Sequence, residues 1–155
     1  MKFLLKYWLP LLLWLSVIFI GSTDLMSAEH TSRFIVPFLR WLKPDISPQT
    51  VASIHVIIRK GAHLSEYAVL ALLLLRAAIR MTNPNVPMLV LCAIVWVACV
   101  FVAVTDELHQ TFVQSRGAAA TDVLIDSVGA LLGLLIGAAF ARKRSTNVRK
   151  ATAAP

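Results

Sequence analysis

The sequence predicts an all-α integral membrane protein: a four-helix bundle with a short interfacial segment between spans one and two. Three observations predict it. The 155 residues are 58% hydrophobic and only 15% charged, where a soluble domain carries about a quarter charged residues. The apolar excess is gathered into four long runs, each near the ~20 residues a helix needs to cross a ~30 Å hydrocarbon core. The polar residues left inside or beside those runs fall in clusters rather than at random.

The same composition excludes other classes. Too much apolar surface seeks burial for a disordered chain. The two cysteines, Cys92 and Cys99, lie inside one apolar run, so they read as small packing residues and not as a disulfide framework. The net charge of +7 could suggest nucleic acid. However, Arg142, Lys143, Arg144, Arg149 and Lys150 sit just past the last apolar run. That is a juxtamembrane basic tail, drawn to an anionic leaflet, and no basic-aromatic motif supports a nucleic-acid partner.

Span one is read as Phe3 to Ile20, with Lys6 placed to snorkel. Met26-Ser27-Ala28 matches a signal-peptidase site poorly, so an uncleaved span is expected. Within the long connection over residues 21 to 50, the stretch Arg33 to Leu42 is too short to cross. Its aromatic and basic residues suit a helix lying in the interface. Ser47-Pro48 reads as an N-cap followed by proline at the first helical position. A helix from Pro48 to Arg80 would exceed one span, so its first turns project from the core or it bends at Gly61. Span two proper is Ala62 to Ile79, span three Met88 to Val104 and span four Val123 to Phe140. Thr82 to Pro87 is a tight turn of asparagine and proline between spans two and three. Arg76 and Arg80 are expected to snorkel, and Trp8, Trp14, Trp41 and Trp96 to anchor or pack.

Basic residues set the expected orientation. Lys2, Lys6, Arg76, Arg80 and the tail would be cytoplasmic, whereas Arg33, Arg40, Lys43, Arg59, Lys60 and Arg116 would be outside. Both termini would then be cytoplasmic.

Ionisable residues in spans cost about 2.5–3.5 kcal/mol each on insertion scales, so clusters of them need a reason. At ~100° per residue, His55, Arg59, Lys60, His63, Glu66 and Tyr67 share one face of span two. Span three ends in Asp106, Glu107, His109 and Gln110, with Arg116 beyond it. Span four opens with Asp122 and Asp126, four apart and on one face. Gly129, Gly133 and Gly137 follow at the same interval, a ridge that lets a neighbouring helix come close. Alternating crossings bring all three clusters to one membrane face.

These residue types suit several chemistries. Imidazole and carboxylate one turn apart (His63 with Glu66, Asp106 with His109) serve either a divalent metal or a general acid/base pair. Arg59, Lys60 and Arg116 suit a phosphate. Asp106-Glu107-x-His109 is not the zincin motif. The plain structural alternative is an ion-pair network, Lys60 with Asp126 or Arg116 with Asp122, that fixes helix register.

The ordered blocks Lys60-x-x-His63-x-x-Glu66-Tyr67-x-x-Leu70, Asp106-Glu107-x-His109-Gln110-x-Phe112-Val113-x-x-Arg116 and Asp122-x-x-x-Asp126-x-x-Gly129 resemble the VanZ-like family. The resemblance covers about residues 5 to 140 and includes the four-span layout. It implies a small bacterial inner-membrane protein over residues 1–141, with residues 142–155 left as a basic cytoplasmic tail expected to be disordered. The founding member of the family is linked to teicoplanin resistance, and the resemblance brings no mechanism or cofactor with it. The expected ligand is an anionic, phosphate-bearing envelope lipid or cell-wall precursor. Arg59, Lys60 and Arg116 would contact it, with Tyr67, Asp106, Glu107, Gln110, Asp122 and Asp126 completing the site. The second expectation is a lipid hydrolase or phosphotransferase using His63, Glu66 or His109. The third is a structural subunit.

Overall fold

A computed structural model describes residues 2–113 and 119–152, with side chains described for all of these but 28, 29 and 144–152. The described residues are helical, with no strand among them. A π-helical turn, Leu4–Trp8, leads into α1, Leu9–Gly21. Pro10 accounts for the widened turn. It has no N–H for the Lys6 carbonyl and its ring would crowd that oxygen, so the ladder loosens upstream. A 3-10 turn, Asp24–Met26, follows. Ser27 then caps α2, Ala28–Leu42, by accepting from the His30 N–H at 3.4 Å.

The interfacial segment is therefore a helix of 15 residues. It turns Phe34, Phe38 and Trp41 outward, and half-buries Thr31, Ile35 and Leu39. Such a two-faced helix is too short to span and suits the boundary between water and acyl chains.

Helix α3, Pro48–Met81, has 34 residues and runs unbroken through Gly61. Its start is the expected one: Ser47 Oγ accepts from the Thr50 N–H at 3.2 Å, and Pro48 opens the first turn. The chain then turns through Asn83, whose Oδ1 accepts from the Asn85 N–H at 3.0 Å. Helix α4, Met88–Gln110, has 23 residues, and α5, Ala120–Thr152, has 33. Both outrun the apolar spans read from the sequence. Hydropathy ends where the polar clusters begin, but the hydrogen-bonded ladder does not. Among the described residues, four helices are long and apolar enough to cross a membrane: Leu4–Gly21, Pro48–Met81, Met88–Gln110 and Ala120–Lys143.

Helix α3 is the hub, packing most extensively on α5, then on α4, α1 and α2. Leu70, Ala71, Leu75, Leu91, Val95, Cys99, Ala130 and Leu134 form the shared core. The glycine ridge works as expected. A Cβ on Gly129 would collide with the Leu64 carbonyl, one on Gly133 with the Ala68 carbonyl, and one on Gly137 would sit 2.9 Å from a Leu75 methyl. So α3 and α5 touch backbone to backbone over two turns. Two of the tryptophans stitch helices together. Trp14 Nε1 donates to the Glu66 carbonyl at 2.8 Å, and Trp96 Nε1 to the Ser127 carbonyl at 3.2 Å. Arg76 lies 5.2 Å from the centre of the Tyr7 ring, a cation–π contact that ties the first turn of the chain to α3.

Candidate functional site

The three polar clusters meet at one end of the bundle, as alternating crossings require. Helices α3 and α5 start at that end, and α1 and α4 finish there. A chain of hydrogen bonds runs through all four. Ser22, just past α1, donates to Asp106 Oδ1 at 2.5 Å. Gln110 Nε2 donates to Asp106 Oδ2 at 3.1 Å. Arg59 Nη2 donates to Gln110 Oε1 at 3.2 Å and to Asp122 Oδ2 at 3.0 Å. Lys60 Nζ lies 3.7 Å from Asp122 Oδ1. Beside this chain, His63 Nδ1 and Asp126 Oδ1 are 3.1 Å apart. Glu107 accepts from the backbone N–H of Ala119 and so holds the start of α5 against the end of α4.

Backbone packing explains the pairing. Gly129 sits on Leu64 and Gly133 on Ala68, so α3 and α5 run in parallel with a fixed register. Toward the polar end of this contact Asp126 meets His63 and, one turn earlier, Asp122 meets Arg59; both pairs span 63 residues. This corrects the pairing of Lys60 with Asp126, which is one turn out of step: Lys60 faces Asp122. Arg116 lies outside the described residues.

His63 turns to Asp126 instead of Glu66. Glu66 points toward α1, where a Cβ on Gly21 would lie 3.6 Å from its Oε1. Asp106 uses both oxygens on Ser22 and Gln110 rather than meeting His109. His109 stacks on Phe19 of α1 with ring centres 4.9 Å apart, and its buried Nδ1 finds no partner among the described residues. Tyr67 is 0% exposed, and its hydroxyl likewise finds none. No three His, Cys, Asp or Glu side chains gather in a metal-holding arrangement among the described residues.

Burial gives the ion-paired part of the site a polarity. The Asp122 side chain is 7% exposed, whereas those of Arg59 and Lys60 are 37% and 44% exposed. His63 and Asp126 are buried together. The carboxylates are therefore inside and their cations are at the surface. A soft recess of about 260 Å³ opens beside them, between the end of α1, α2 and α3, and reaches His55, Arg59, His63 and Glu66.

Sequence reasoning missed Ser22. The parity of crossings that gathered the three clusters also brings the end of span one to that face, and Gly21-Ser22 is the first polar step there. His55 shares the polar face of α3 and lines the recess, although the sequence alone assigns it no role in the site.

A family model described as VanZ/LLP1 matches residues 7–141. Neither the curated proteins nor the solved structures give a match.

Proposed function

The chain belongs to the VanZ-like family of membrane proteins, and on that premise we propose that its polar end binds an anionic, phosphate-bearing envelope lipid or cell-wall precursor. One observation carries this reading: the accessible part of the ion-paired cluster is cationic. Arg59 and Lys60 stand at the surface while Asp122 is buried beneath them. A buried carboxylate holds the two side chains in place, and their remaining N–H groups are free to meet an anion. Gln110 and Asp106 brace Arg59 from behind. Arg116 joins the cationic set on this reading. The polar end faces outward, both termini are cytoplasmic, and the membrane is the bacterial inner membrane. The expected consequence is altered envelope surface chemistry and raised tolerance to teicoplanin.

The test pairs a phenotype with a folding control. Expression in a teicoplanin-sensitive host should raise tolerance with the native chain, and Lys60→Ala should remove most of that gain. Lys60 is half-exposed, so the variant should keep its thermal unfolding temperature in detergent. Unchanged tolerance in a folded Lys60→Ala variant defeats the reading. Labelling a cysteine placed at Thr146, with Cys92 and Cys99 replaced by alanine, checks the orientation: a membrane-impermeant thiol reagent should react only after lysis.

A second reading has its own observation. His63 bonded through Nδ1 to a buried Asp126 has the arrangement in which a carboxylate orients an imidazole for proton transfer. An intramembrane lipid hydrolase or phosphotransferase would use His63 in that role. If it does, His63→Ala abolishes turnover of a phospholipid substrate while binding persists.

A further inference from the structure

The recess between α2 and α3 has a chemical character that the ion-pair network alone does not need. His55 and Arg59 both line it, and each brings a buried nitrogen, His55 Nε2 and Arg59 Nε, that finds no partner among the described residues. Arg59 is 37% exposed and spends only Nη2 on Gln110 and Asp122 among the described residues, so its guanidinium has donors left over at a recess that His55 also lines. Arg59 Nε–H is always a donor. The imidazole can donate as well, so a small oxyanion satisfies the pair.

Beside Ser22, Thr31, His63 and Glu66, the remaining wall is apolar. Ile35 comes from α2, and Val56 and Ile58 from α3. The apolar rim is open too: Val56 is 52% exposed and Ile58 48%. Water would not be the natural neighbour of such a rim, but acyl chains would. Glu66 also reaches the recess, which disfavours a highly charged guest.

Resting on the anion-binding reading above, we infer that this recess is the seat of the ligand, and that the ligand is a membrane lipid carrying one phosphate. It arrives sideways from the bilayer under α2, with its phosphate on Arg59 and His55 and its chains along Ile35, Val56 and Ile58. Helix α2 is then one wall of a binding site, and not only a connector at the interface. His55 becomes a binding residue, and Ile35 a residue that sets the room available.

The full-length protein in phosphatidylcholine nanodiscs provides the test, with dioleoyl phosphatidic acid as probe and dioleoylglycerol as the uncharged control. Retained lipid is read by native mass spectrometry. The native chain should retain phosphatidic acid in preference to dioleoylglycerol. His55→Ala should weaken retention by about tenfold, the loss of one hydrogen bond to a charged group. Ile35→Trp fills the recess without altering any charge and should abolish retention. Inorganic phosphate should not displace the lipid, and displacement would overturn the assignment to a lipid. Full retention by His55→Ala and Ile35→Trp, with loss in Lys60→Ala, places the anion on the ion-paired cluster and overturns the recess alone. No preference for phosphatidic acid in the native chain overturns both readings. Each variant is compared at matched unfolding temperature, which removes a folding defect as the cause.

Discussion

His63 and Asp126 are buried side by side, so neither can be removed without stranding the other. Asp126→Ala leaves the imidazole nitrogen without its partner and should cost about 1–3 kcal/mol, the usual penalty for an orphaned buried group. Asp126→Asn keeps an acceptor oxygen at the same place and should recover most of that loss. Thermal unfolding of the two variants in one detergent separates them, and equal losses would show that the carboxylate charge, not the hydrogen bond, matters. Much of this chemistry was legible at the level of residue type. The polar face of α3, the four-residue spacing of Asp122 and Asp126, and the cluster ending α4 were all visible in sequence. Partner choice was not. A hydropathy pattern says which face a residue occupies, but the step along a neighbouring helix is set by the point of closest approach. That is why the structural alternative pairs Lys60 with Asp126, whereas Lys60 faces Asp122.

Helices α3 and α5 owe their register to two missing side chains. Gly129→Ala puts a methyl against the Leu64 carbonyl, with backbone on both sides and nothing flexible to give way. The helices must part, at about 1–3 kcal/mol or more for overpacking. Asp122 and Asp126 would be carried away from Arg59 and His63 as they do. Gly61→Ala is the matched control, because a Cβ there meets nothing within 4 Å. The first variant should lower the unfolding temperature in detergent and weaken anion binding together. The second should raise helix stability by a few tenths of a kcal/mol up to about 1. Equal behaviour of the two would remove the glycine ridge as the organiser of the site. At this scale the sequence was most informative at punctuation: Ser47-Pro48 and the Asn83 turn stand where they were read. The ends of α4 and α5 were harder, because a helix continues past its apolar face without a breaker.

Across the whole molecule, the ion-paired cluster lies at one end, basic residues such as Lys6, Arg76 and Arg142 lie at the other, and the middle is apolar. Beneath Tyr67 the space between α3, α4 and α5 is filled by Leu70, Ala71, Leu75, Val95, Ala130 and Leu134. The layout of four crossings with clustered polar ends was recoverable from parity alone. The roof formed by α2 was not, since an amphipathic stretch names its two faces but not the neighbour it covers.

That filled middle has a consequence for traffic. Whatever enters the charged vestibule, proton or solute, meets a leucine-and-alanine plug with the α3 and α5 main chains pressed together behind it, and must leave by the door it came through. A binding site of the proposed kind would then be a dead-end berth instead of a conduit. Proteoliposomes holding it should hold a pH gradient as long as empty ones, and a faster leak would mean that the plug opens.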